Sequence, residues 1–80
     1  MSEATKNYRN ENTAKQIENN FTYHAPKEGQ PARYEWIRNL AKQLAEKIND
    51  CCPDSREKSI ALTELETSVM FANAAIARNE

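Results

Sequence analysis

Pro53-Asp54-Ser55-Arg56-Glu57-Lys58-Ser59 opens the stretch that decides the fold, and Val69-Met70-Phe71-Ala72-Asn73-Ala74-Ala75-Ile76-Ala77-Arg78 closes it. The opening has the chemistry of a helix start. Asp54 offers a carboxylate to the free N–H groups, and Glu57 follows three residues later, as a capping box requires. Leu62, Leu65, Val69, Ala72 and Ile76 then recur in steps of three and four, which lays one apolar stripe along a helix. Met70, Phe71, Ala74, Ala75 and Ala77 add apolar surface on the other faces of the last turns. A helix that is apolar nearly all round needs cover nearly all round. One partner helix cannot supply that, so the sequence places this helix in the middle of an assembly.

Upstream, Pro31 suits the first turn of another helix. The pattern predicts that helix from about Ala32 to about Cys51. Tyr34, Ile37, Leu40 or Ala41, Leu44 and Ile48 form its main stripe. Trp36 falls off the stripe and is assigned to a second interface in preference to a pocket, since Trp is a frequent interface anchor. Arg33, Arg38 and Lys42 lie on the polar side. Cys52-Pro53 ends the helix, because proline cannot extend the hydrogen-bond ladder and disfavours helical geometry before it. The short connection predicts an antiparallel hairpin. At about 1.5 Å per residue each arm is roughly 30 Å long.

Between residues 21 and 31 stands Phe21-Thr22-Tyr23-His24-Ala25-Pro26-Lys27-Glu28-Gly29-Gln30-Pro31, a loop by its two prolines and the chain's only glycine. If extended, it alternates Phe21 and Tyr23 with Thr22 and His24. The aromatics either staple the loop to the helices or, at Tyr23, offer a ring face to a ligand. Residues 1–20 read as a polar N-terminal arm or short helix: Met1 to Asn12 as a mobile arm, Thr13 to Asn20 as a helix capped by Asn12 or Thr13. Residues 21–80 form the hairpin domain. The fold class is all-α.

Eighty residues with a net charge of −1 bound the function. A chain of this size buries only a modest fraction of its surface and often needs a staple, a metal or a partner. Cys51 and Cys52 are neighbours, and a bond between them closes no useful loop, so reduced thiols are expected. C-x-x-C spacing is absent and a single histidine completes no site, so no metal and no cofactor are expected. The charge balance lacks the basic face that duplex DNA selects. No unbroken apolar run reaches the roughly 20 residues of a membrane span, and the N-terminus lacks a signal-peptide pattern. A soluble, cytoplasmic protein with no membrane partner is expected.

Catalytic constellations are missing: no Ser/His/acid set, no paired histidines and no phosphate-cradling glycine loop. Catalytic residues are therefore none, and an enzyme is not expected. The residues point to anion binding instead. Ser55 to Ser59 puts hydroxyls and cations at a helix N-terminus, where free N–H groups favour a phosphate, although an ordinary cap with surface ion pairs is the better explanation on the residues alone. Arg78 follows an alanine-rich turn that lets a planar ligand approach the backbone, or else complements the helix C-terminus.

Five segments carry a resemblance. They are Phe21-Thr22-Tyr23-His24-Ala25-Pro26, Tyr34-Glu35-Trp36-Ile37-Arg38, Cys52-Pro53-Asp54-Ser55-Arg56-Glu57-Lys58-Ser59, Ala61-Leu62-Thr63 and Ala72-Asn73-Ala74-Ala75-Ile76-Ala77-Arg78-Asn79. Over roughly Phe21 to Glu80 the chain resembles the phage anti-CBASS sponge family, a helical-hairpin domain. The resemblance implies a homohexamer that binds cyclic di- and trinucleotide messengers in the host cytoplasm and sequesters them without cleavage. It implies a cyclic dinucleotide site with Tyr23, Arg38 and Ser59, and a cyclic trinucleotide site with His24, Ala72 and Arg78. The competing reading is a helical-hairpin oligomerisation or protein-interaction module with no nucleotide ligand.

Overall fold

The computed structural model describes residues 8–80 and is helical throughout its regular structure, with no strand among the described residues. Three helices follow in order: α1 (Glu11–Asn20), α2 (Gln30–Cys51) and α3 (Arg56–Asn79). Residues 1–7 of the expected arm lie outside the described residues.

Each helix start has a local cause, and two differ from the sequence expectation. Asn10 caps α1, its Oδ1 accepting from the Thr13 N–H at 3.0 Å. The cap thus lies two residues ahead of Asn12, and the helix takes in Glu11 and Asn12. Ser55 caps α3, its Oγ accepting from the Lys58 N–H at 3.1 Å. Asp54 is displaced from the capping role and instead meets Lys58 Nζ at 3.0 Å. The expected Asp54–Glu57 capping box does not form. A hydroxyl one residue nearer the helix takes the position, because both side chains suit it and register decides between them. Gly29 precedes α2 with φ of 83°, a left-handed geometry that glycine adopts without a Cβ penalty. Pro31 sits in the first turn of α2, as its ring geometry favours. Cys52 is extended before Pro53 and closes α2 through its N–H on the Ile48 carbonyl.

α2 and α3 pack together as a hairpin. At one end Arg33 of α2 meets Glu80, and at the other Lys58 Nζ donates to the Asn49 carbonyl at 2.9 Å. Tyr34, Ile37, Ala41, Ala45 and Ile48 are the half-covered apolar positions of α2, opposite Leu62, Leu65, Val69, Ala72 and Ile76 of α3. The α3 stripe matches the sequence pattern. On α2 the register differs: Ala41 and Ala45 face the groove, while Leu40 and Leu44 are about half exposed. The small residues of the inner face line a hollow of about 440 Å³ with Leu62, Leu65 and Val69 of α3, and the larger leucines turn outward.

The molecule measures 60 × 38 × 14 Å. Its thickness is about that of a single helix with side chains, so the fold is one layer and has no interior. Accordingly no apolar side chain is buried among the described residues, and Gln30 is the one buried residue of any kind. Trp36, Met70 and Phe71 are each about two-thirds exposed. α3 also has the length and average hydropathy of a membrane span, although it contains no unbroken apolar run of that length. Glu64 and Glu66 interrupt the run, whereas the alanines and long aliphatic side chains raise the average.

Candidate functional site

A hollow of about 510 Å³ opens where the loop after α1 crosses the hairpin. The loop supplies Thr22, Tyr23 and His24, with Asn20 from the end of α1. Tyr34 and Arg38 come from α2, one turn apart. Asn73, Ala74, Ala77 and Arg78 come from the last turns of α3.

Polar contacts fix the loop in place. Asn19 Nδ2 donates to the Arg78 carbonyl at 3.0 Å. The Asn19 carbonyl lies 2.8 Å from His24 Nε2, which carries the proton in that pairing. Thr22 Oγ1 donates to the Glu18 carbonyl at 2.5 Å. Tyr23 is held by no such bond and remains 83% exposed. Its ring therefore stands free at the rim.

The electrostatics of the hollow are one-sided. Arg38 and Arg78 line it, and no carboxylate does. Neither guanidinium has a hydrogen-bond or ion-pair partner among the described residues. Arg33, just outside, differs: Glu80 binds it through two parallel hydrogen bonds of 2.5 and 2.6 Å. Asn73 adds a third unmet group. Its Oδ1 is buried and has no hydrogen-bond partner. A buried acceptor without a donor costs stability, on the order of 1–3 kcal/mol, and a ligand N–H or O–H would satisfy it. Two cations without acceptors, an acceptor without a donor and two tyrosine rings suit an anion that also carries flat, hydrogen-bonding groups.

Four of the expected site residues meet here: Tyr23 and Arg38 from the dinucleotide set, His24 and Arg78 from the trinucleotide set. Ala72 is half-covered in the hairpin and does not line the hollow. Ser59 lies near the opposite end of α3, about 20 Å from Asn73 at about 1.5 Å per residue. Asn20, Thr22, Tyr34, Asn73, Ala74 and Ala77 also line the hollow and were not assigned from the sequence; Tyr34 and Asn73 matter most to its chemistry. Tyr34 counted as part of the apolar stripe. Asn73 interrupts a run of small residues in an otherwise apolar turn, and that interruption was the available signal. Among the described residues, no group of three or more His, Cys, Asp or Glu could hold a metal ion.

A family model described as Acb2/Tad1, hairpin domain, matches residues 13–77. The chain belongs to this family. The Acb2/Tad1 match begins within α1, takes in the aromatic loop, α2 and most of α3, and ends at Ala77, one residue before Arg78. The Acb2/Tad1 hairpin is a sponge-type binding domain, known for sequestering cyclic nucleotide signals. The family includes the anti-CBASS sponges, and Tad1 is a sponge against Thoeris defence. No curated protein and no solved structure matches the chain.

Proposed function

We propose that this protein is a phage counter-defence sponge. It binds the cyclic di- and trinucleotide messengers of bacterial CBASS immunity in the host cytoplasm and withholds them from their effectors without cutting them. The observation that carries this reading is the pair of unpartnered guanidiniums, Arg38 and Arg78, in a hollow free of carboxylates and rimmed by the Tyr23 ring. A cyclic oligonucleotide presents phosphates to the cations and base faces to the ring. The unpartnered cations, the tyrosine rings and the buried Asn73 acceptor support capture of the messenger.

The assembly belongs to the same proposal. The hairpin arms run antiparallel, and six copies associate to cover the outer faces of α2 and α3. This gives Ser59 a place. In one chain it is remote from Tyr23 and Arg38, so a neighbouring copy must present it to complete the dinucleotide site. Arg78, with His24 in the same hollow, serves the trinucleotide site, to which Ala72 contributes from outside the hollow's lining. Three copies about a threefold axis would match a ring of three phosphates.

The exposed apolar surface of α3 also suits a second reading, a protein-interaction module without a nucleotide ligand. Calorimetry against cyclic di-adenylate and cyclic tri-adenylate separates the two. The sponge reading expects saturable binding to both and recovery of intact ligand after the protein is heated. No binding to either would leave the module reading. Recovery of linear products would overturn capture without cleavage.

A further inference from the structure

We propose that Glu80, Arg33 and Gln30 form a latch that positions Arg78 in the hollow, an inference that rests on the ligand reading above. Apolar packing does little of that task, because no apolar side chain is fully buried among the described residues. The end of α3 is instead tied by polar contacts. Glu80 spans the Arg33 guanidinium with both carboxylate oxygens, at 2.5 and 2.6 Å. Gln30 Nε2 donates to Glu80 Oε1 at 3.2 Å. The Gln30 amide oxygen accepts from the Lys27 N–H at 2.9 Å. Lys27 Nζ donates to the Glu80 carbonyl. One cluster thus joins the loop, the start of α2 and the end of α3.

Gln30 is 2% exposed, the one buried residue described in a protein without an apolar core. A primary amide buried at such a crossing, with both its oxygen and its nitrogen engaged, holds its neighbours in one geometry. Arg78 sits two residues before Glu80, and its carbonyl accepts from Asn19. The last turn of α3 is therefore pinned on one side by the latch and on the other by α1. Arg78 has a long, rotamer-rich side chain, and fixing its backbone reduces the ordering left for the ligand to impose. The latch also occupies Arg33. That cation is close to the hollow but is already neutralised, which leaves Arg38 and Arg78 as the cations presented there. Arg33, Gln30 and Glu80 are positioning residues, not ligand contacts.

The test compares Arg33→Gln, Glu80→Gln and the double variant with the unaltered protein. Cyclic tri-adenylate is the calorimetric probe, and backbone amide exchange is read on the same samples. A latch predicts that each single variant weakens binding about tenfold at unchanged oligomer mass. It also predicts that the double variant is no weaker than either single one, because all three lose the same contact. Amide exchange should accelerate over residues 76–80 and stay unchanged over residues 60–70. If Glu80→Gln tightens binding by freeing Arg33, or if the two losses add, Arg33 acts on the ligand directly and the latch is wrong. If the unaltered protein binds none of the probe, the ligand reading fails. Exchange then still decides whether the cluster holds the turn: unchanged exchange in Glu80→Gln overturns it.

Discussion

Single side chains separate capture from mere packing. Tyr23 is exposed and unbonded, so its ring contributes little to the fold. Replacing it with alanine should leave melting unchanged and weaken cyclic di-adenylate binding by about 1–3 kcal/mol, the range of base–aromatic stacking. Arg38→Ala should cost about 1.5–3 kcal/mol through a lost charge-assisted hydrogen bond. Calorimetry on both variants checks this, and unaltered affinity in both would remove the assigned site. Glu80 makes a separate prediction in pH. Hydrogen bonds from Arg33 and Gln30 hold its carboxyl down at about 2, against an ordinary value of 4.5. A depressed carboxyl stabilises the fold when ionised, so its contribution is complete above the ordinary value. It fades as pH falls from about 4.5 towards about 2. The pair is partly exposed, so the effect on overall stability is modest. Carboxyl-carbon NMR should show Glu80 titrating near 2, and Arg33→Gln should return it towards the ordinary range. The sequence made Tyr23 and Arg38 legible as ring and cation. It could not show that Arg33, a similar residue five positions earlier, is spent on Glu80. Sequence separation hides a contact that only the closed hairpin creates.

The helices show how far local rules reach. The period of three and four placed both long arms, and Pro53 and Gly29 punctuated them where backbone chemistry requires. The α3 stripe was readable because its apolar residues fall on one spacing. The α2 face was not, since Leu40 and Ala41 are adjacent and either satisfies the pattern. In the folded chain Ala41 and Ala45 take the inner face, and Leu40 and Leu44 turn outward. Caps were ambiguous for a similar reason: Asp54 and Ser55 both have the right chemistry, and the pattern does not fix register. The structure makes that choice testable. Ser55→Ala should destabilise the hairpin by about 1 kcal/mol, within the usual range for a lost N-cap. Asp54→Ala removes an ion pair in which the carboxylate is almost fully exposed. It should change stability by less than Ser55→Ala does. Thermal melts of the two variants under one condition decide it. A larger loss for Asp54→Ala would restore the acid as the cap.

At the scale of the molecule, thickness governs everything else. A layer 14 Å deep cannot enclose a side chain, and stability in water requires enclosed apolar surface. The folded chain exposes 6922 Å², against about 4900 Å² for a compact monomer of its mass by the usual scaling. The difference is on the order of 2000 Å², the size of an extensive protein interface. Copies of the same chain are the cover best suited to it. A lipid bilayer would have to accept Glu64 and Glu66 in the body of α3, which is costly for each carboxylate. Trp36, Met70 and Phe71 lie on this uncovered surface and away from the hollow. Phe71→Lys should therefore place a charge in the contact between copies and split the assembly, with Arg38 and Arg78 untouched. Light scattering should show the parent as an oligomer at micromolar concentration and the variant at lower mass. If, as proposed, Ser59 completes the dinucleotide site from a neighbouring copy, the variant should also lose cyclic di-adenylate. A folded, monomeric parent would refute the assembly. A dissociated variant that keeps full affinity for cyclic di-adenylate would show that one chain completes the site alone.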